Sequence, residues 1–366
     1  MSGSRARDAT REAEVLDRIE AFRRRAPRLR EDRVTRAHGA GGKSSAALVE
    51  TVFLPAFRSG DPPAELADAA VLPAAGHERL AFTTDAYVVR PLRFPGGSLG
   101  HLAVNGTIND LAMVGARPLG LSAAFVLEEG LPLDALRDVV ADMAEAAARA
   151  GVPIVAGDTK VVDAGAADGL FVTTSGVGAL PAGRTLAASQ VVAGDVVLVS
   201  GPIAEHGVAV MVARGDLAIE ADVRSDTAPL HGLVEALLAA APGTRWLRDA
   251  TRGGVGTVCN ELARDADLTV VLDEARLPVR PVVAGACELL GIDPLYVANE
   301  GRLVAVVPAG QADDALAALR DHPLGRDAVA VGEIRSEPKG IVVLVTALGG
   351  TRIVDMLVGD PLPRIC

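Results

Sequence analysis

The chain has 366 residues, 49% of them hydrophobic and 23% charged, which is enough to bury the cores of about two domains. A formal net charge of -11 and a pI near 5.1 oppose a phosphate backbone, and 3% aromatic residues leave few rings for stacking bases, so nucleic acid is excluded as a partner. No apolar run reaches membrane-spanning length and the Arg-rich start lacks the apolar block of a signal peptide, which points to the cytoplasm and away from a membrane.

In chain order, residues 1–32 read as a charged helical extension without chemistry. A glycine loop follows at 37–45. From Arg79 the pattern alternates between a strand at 79–89, a helix at 100–116, a strand at 119–128, a helix at 133–151 and strands at 152–158 and 169–180. That is one α/β unit. Residues 181–195, rich in small and turn residues, separate it from a second unit that opens with the strand 195–201. Helices near 204–214, 229–241 and 254–265 and strands near 268–273, 302–308 and 341–346 complete that unit. The expected organisation is an extension at 1–32, a first α/β domain at 33–183, a second at 184–358 and a tail at 359–366. Pro361 and Pro363 should keep this tail extended, with Cys366 at its tip. Cys259 and Cys287 lie in apolar, helix-like stretches as packing residues, and no Cys-x-x-Cys pair offers a zinc site.

Four stretches carry possible chemistry. The string AHGAGGKSS, with His38, Gly41, Gly42 and Lys43, fails as a P-loop because Ala37 stands where the first glycine is required. What remains brings backbone N–H groups and one cation towards phosphate, or is a turn before a helix. A set of aspartates beside Gly, Thr or Asn comes next: Asp85, Asp110, Asp158 and Asp249. Asp158 follows the apolar run VPIVAG and should project from the end of a buried strand, where open α/β sheets place ligands. Converging aspartates would suit a magnesium nucleotide, whereas any one alone reads as a turn or cap residue. In RDATRGGVG, Asp249 and Arg252 stand before a helix start, suited to phosphate or to plain capping. Asn299 and Glu300 sit before a buried strand, and in company Glu300 is a candidate base.

Together the strings HGAGGK, FTTDAYVV, FPGGSLG, AVNGTINDLAMVGARP, AGDTKVV, RDATRGG, DPLYVANEG and the closing LPRIC resemble the HypE family of hydrogenase maturation factors, from His38 to Cys366. The family belongs to the ATP-dependent superfamily of aminoimidazole ribonucleotide synthetase, selenophosphate synthetase and thiamine-monophosphate kinase. The resemblance implies a two-domain α/β fold of that type, a homodimer, and ATP with Mg2+ in a cleft. It implies a magnesium and phosphate shell of Asp85, Asp110, Asp158 and Asp249, with Gly41, Gly42, Lys43, Asn109, Thr159 and Arg252 near the nucleotide. It further implies that Cys366 receives a carbamoyl group from the carbamoyltransferase HypF and that this group is dehydrated to a thiocyanate with ATP. Lys160, Glu300 and His38 would be the candidate bases. The cyanide would pass through HypC and HypD to a nickel-iron hydrogenase. Two other readings compete: another ATP-using member of the superfamily, which has no use for a terminal PRIC, and an ATP-binding adaptor whose tail is a docking peptide.

Overall fold

The computed structural model describes residues 43–48, 50–51, 70–73, 79–215 and 222–357. The extension at 1–32, His38, Gly41, Gly42 and the tail with Cys366 lie outside the described residues. Two compact units divide the chain, one taking residues up to Pro62 with Leu357–Asp360 and the other running from Pro63 to Met356. Of the first, the helix α1 (Lys43–Leu48) is described, with the Lys43 N–H donating to the carbonyl of Leu357 at 3.3 Å.

The large unit holds two sheets. The first runs β1 (Ala70–Pro73), β2 (Arg79–Tyr87), β7 (Leu170–Leu180), β5 (Arg117–Glu128), β6 (Ile154–Val162) across its width. It is antiparallel except where β5 and β6 run parallel. A two-residue hairpin, β3 (Arg93–Phe94) with β4 (Gly97–Ser98), leads into helix α2 (Leu99–Met113). Ser98 caps that helix by accepting from the N–H of His101, as expected of a serine at this position. Helix α3 (Leu133–Ala150) ends on Gly151 in the left-handed region, which supplies the sharp stop before β6.

The second sheet has the order β14 (Thr351–Val354), β13 (Ile341–Val345), β10 (Thr269–Asp273), β12 (Val329–Arg335), β8 (Val196–Val199), β11 (Leu303–Val307), β9 (Trp246–Asp249). Helices α4 (Glu205–Arg214), α5 (His231–Ala240), α6 (Gly254–Ala266), α7 (Pro281–Leu290) and α8 (Ala312–Asp321) accompany it. Val197, Val199, Val304 and Val306 face α6, while Leu198, Ala305 and Val307 face α5 and α8, so the central strands are apolar on both sides. That accounts for the unbroken apolar runs in the sequence. Cys259 and Cys287 are buried free thiols, as expected of packing residues.

Helix α2 ties the two sheets together. Thirteen of its fifteen residues are buried, so it has no solvent face and behaves as a core helix. Leu102 and Ile108 pack into the core of the first sheet, whereas Ala112 and Met113 belong to the core of the second. The interior is therefore sensitive to truncation along this helix. Leu102→Ala, at a fully buried position, should lower unfolding stability by about 3 kcal/mol, read as a lower urea midpoint with an unchanged slope.

Candidate functional site

Strand β2 alternates with period two, and Ala81, Thr83, Asp85 and Tyr87 turn to the face covered by α2 while Phe82, Thr84 and Ala86 turn away. Ala81, Thr83 and Tyr87 are buried and Asp85 is half-buried at the rim. Helix α2 presents Gly106 and Asp110 to this strand, and the Thr83 hydroxyl donates to Asp110 Oδ2 at 2.8 Å. From the second sheet, β9 ends on Asp249, held opposite Leu303 of β11. The turn after it carries Thr251 and Arg252. Asp85, Tyr87, Gly106, Asp110, Asp249, Thr251, Arg252 and Glu300 then line one small cavity. Its walls come from both sheets.

The segment 299–301 is fixed by its main chain. The Glu300 N–H donates to Asp226 Oδ1 at 3.0 Å, and the Glu300 carbonyl accepts from Asn109 Nδ2 at 3.3 Å. Asn109 also donates to the carbonyl of Ala228 (3.1 Å) and accepts from the N–H of Leu230 (2.7 Å). Both amide protons of this buried asparagine are thus committed to main chain. Asn109, expected near the nucleotide, spends its amide on main chain beside the cavity and positions Glu300. Asn299 does the same on the other side, accepting from Ala204 and donating to Ala250. A Cβ at Gly301 would lie 1.9 Å from the carbonyl of Asp226, so only glycine fits there. Arg302 completes the brace, 3.1 Å from Glu205 Oε2 and 3.6 Å from Asp226 Oδ2.

Electrostatics follow from this crowding. Burial pushes the Glu300 carboxyl well above the ordinary glutamate range, and the charges of Asp249, Asp226 and Asp85 push it further, with Arg252 offsetting part of the effect. Burial likewise raises the Tyr87 phenol well above its usual value, helped by Asp85, Asp110 and Glu300. The cavity therefore sets a carboxyl and a phenol of raised proton affinity beside three aspartates. Among the described residues no group of three or more His, Cys, Asp or Glu is close enough to cage a metal ion. The donor set nevertheless fits magnesium, which takes one or two carboxylates and completes its shell with water and nucleotide phosphate.

The remaining sequence candidates sit elsewhere. Asp158 was expected at the end of a buried strand, but β6 continues to Val162 as an exposed edge, and Asp158 lies at its middle. The register aligns Asp85 with Thr174, Thr174 with Ala123, and Ala123 with Gly157, so Asp158 and Lys160 turn to the face opposite Asp85. Three strand spacings place the two positions about 14 Å apart. Thr159 is exposed on the same edge strand, and Lys43 lies in the other unit. Sequence reading missed Tyr87, Thr251 and Asp226. The signal for Tyr87 was present, because a residue two places after Asp85 on a strand shares its face.

Glu300 should report on this environment in metal-free and nucleotide-free protein. Above the ordinary glutamate pKa the folded chain binds more protons at Glu300 than the unfolded chain, so stability is lost as pH rises through that window. Glu300→Gln removes the loss. Its melting temperature should converge with that of the parent at acid pH and exceed it at about pH 8, whereas parallel curves would refute the burial argument.

Comparison with known proteins identifies the family and the fold. The family models for "AIR synthase related protein", N-terminal and C-terminal domains, match residues 66–180 and 192–345. The chain is 55% identical over 343 residues to a carbamoyl dehydratase HypE of Rhodobacter capsulatus, covering 92% of this chain and 99% of that protein. It is 48% identical over 335 residues to the Escherichia coli protein of the same name, covering 90% and 98%. Among solved structures, a HypE in complex with ATP superposes with a TM-score of 0.76 at 44% identity, covering 91% of this chain and 100% of that one. A HypE–HypF complex gives 0.80 at 44%, covering 85% and 100%. Thiamine monophosphate kinase of Aquifex aeolicus, at 16% identity and a TM-score of 0.57 over 80% of this chain and 93% of that one, shares the fold alone. On the matched domains, the near full-length identity and the fold, this chain belongs to the carbamoyl dehydratase HypE family of the AIR synthase-related proteins.

Proposed function

We propose that the carboxylate cavity transfers the γ-phosphoryl group of ATP to the oxygen of a carbamoyl group carried on the thiol of Cys366, and that loss of phosphate then leaves a thiocyanate. The chain is an ATP-dependent carbamoyl dehydratase of hydrogenase maturation. One observation carries the assignment to this cavity: a buried glutamate of raised proton affinity stands beside three aspartates and an arginine. An amide oxygen leaves poorly, whereas the same oxygen bearing phosphate leaves well. Dehydration also removes both protons from nitrogen, and Glu300, whose proton affinity is raised, is placed to accept one. One or two of Asp85, Asp110 and Asp249 would hold magnesium, with water and phosphate completing its shell and its charge neutralising the phosphates. Arg252, exposed at the cavity mouth, is positioned for a phosphate oxygen.

Asp158, Thr159 and Lys160 cannot join this cavity within one protomer, and this supports a homodimer. Among the described residues the sheet face bearing Asp158 and Lys160 has no helix over it and exposes Phe82, and no strand pairs with the outer side of the edge strand β6. A second copy would cover these and bring Lys160 to the partner cavity. HypF as the carbamoyl donor, HypC and HypD as the cyanide acceptors and a cytoplasmic location complete the proposal. A HypE–HypF complex of a relative supports the first, and no described helix is long and apolar enough to cross a membrane. The adaptor reading and other superfamily activities have no observation in their favour.

Two experiments test the scheme. After carbamoylation and addition of ATP and magnesium, the tail peptide should lose the mass of one water; Cys366→Ala should give no product while retaining nucleotide binding. Asp85→Asn and Lys160→Ala should each be inactive, but mixing them under exchange should restore about a quarter of the activity, because half the dimers then hold one intact site of two. Persistent inactivity of the mixture would place both residues in the same protomer's site.

A further inference from the structure

Tyr87 is the one residue lining the cavity whose side-chain polar atom is both buried and without a hydrogen-bond partner among the described residues. The residue is 3% exposed, yet its hydroxyl lies against the site and not against apolar packing alone. Leaving a buried hydroxyl unpaired is costly, and native proteins seldom tolerate it without a reason. The neighbouring Thr107 does not relieve it. Thr174 donates its proton to the carbonyl of Ala103 at 2.7 Å, so in the 2.6 Å contact between Thr107 and Thr174 the proton comes from Thr107. Thr107 therefore gives no proton to the phenol, and its oxygen, though near enough to act on the phenol, does not accept from it in hydrogen-bond geometry.

The surroundings also make room for the phenol. A Cβ at position 106 would fall 2.1 Å from the Tyr87 oxygen, so the glycine of helix α2 is what lets the hydroxyl reach the cavity. Every carboxylate there, Asp85, Asp110, Asp249 and Glu300, is an acceptor when ionised. A donor added to such a wall serves an incoming group that is itself rich in acceptors. Phosphate carried in with a cation fits that description.

We infer that the Tyr87 hydroxyl donates a hydrogen bond to an oxygen of the terminal phosphoryl group of ATP, making it a γ-phosphate-binding residue of this site. The inference rests on the assignment of phosphoryl transfer to this cavity. It identifies the partner that the hydroxyl lacks in the free protein, and it separates ATP from ADP by one contact.

Tyr87→Phe in the full-length protein tests it, because the ring keeps its packing and only the oxygen is lost. Binding of a non-hydrolysable ATP analogue with magnesium should weaken by about 5–10-fold, as one hydrogen bond predicts, while ADP binding with magnesium stays unchanged. The melting temperature of the free variant should be equal to or above that of the parent, since no bond is broken in the absence of ligand. Equal weakening for the analogue and ADP, no weakening for either, or a lower melting temperature in the free protein would each overturn the inference. Asp249→Asn separates it from the reading beneath it. If that variant binds the analogue as the parent does, the cavity is not the phosphate site and both ideas fall; if it loses binding while Tyr87→Phe does not, only the tyrosine inference falls.

Discussion

The structure turns on mutual repulsion among four carboxylates confined to one small cavity. Asp85, Asp110, Asp249 and Glu300 come from a strand, a helix, a strand end and a loop, and none can move away, since each rides on an element buried in a core. Like charges at this density are favourable only when a cation arrives or when one group keeps its proton. Glu300 leans towards the second course, its proton affinity raised by burial and by the charges of Asp249, Asp226 and Asp85. A magnesium nucleotide would reverse the choice, drawing the aspartates to the metal and lowering the proton affinity of the glutamate beside it. On the proposed function, binding would then also supply the base.

Holding the carboxylates against their repulsion requires rigid support, and the support is unusually long-range in sequence. Asn109 on the central helix binds the carbonyls of Ala228 and Glu300, and Asp226 binds the N–H of Glu300. Arg302 joins Asp226 to Glu205. These are polar groups in a dry interior, where a satisfied network specifies one geometry and a broken one is expensive. Because Asn109 and Asp110 are consecutive, the same helical turn that presents a cavity carboxylate also clamps the glutamate loop. Any shift of that helix moves both.

Much of this was legible in the sequence. The strand containing Asp85, the buried helix containing Asp110 and the apolar run at 303–307 fall where periodicity places them, within a few residues at each end. Three features were not legible. The strands at 246–249 and 351–354 are short edge elements, and 329–335 is a central strand interrupted by a register shift, and all three pair with distant partners. The run VPIVAGD reads as a buried strand, yet the structure makes it the start of an exposed edge, because an apolar strand covered on one face and an edge strand can share a pattern. Asn109 resembles a ligand contact in a motif, and only the three-dimensional path of residues 226–230 reveals that its amide is already engaged. Tyr87 was overlooked for the opposite reason: its neighbour Asp85 drew the chemistry, and a tyrosine on an apolar strand face reads as packing.

The cysteines show how the fold assigns reactivity by burial. Sulfur attacks a carbamoyl donor as thiolate, so a thiol must be able to ionise near neutral pH. Desolvation pushes Cys259 up to about 12 and Cys287 up to about 11, the latter with help from the Asp293 charge. Neither can carry thiolate under working conditions, and both are enclosed in apolar clusters that no carbamoyl donor enters. Of the three sulfurs in the sequence, two are therefore removed from carbamoyl chemistry by the same packing that stabilises the second domain. If Cys366 carries the carbamoyl group, as proposed, its selection among the three follows from the burial of the other two.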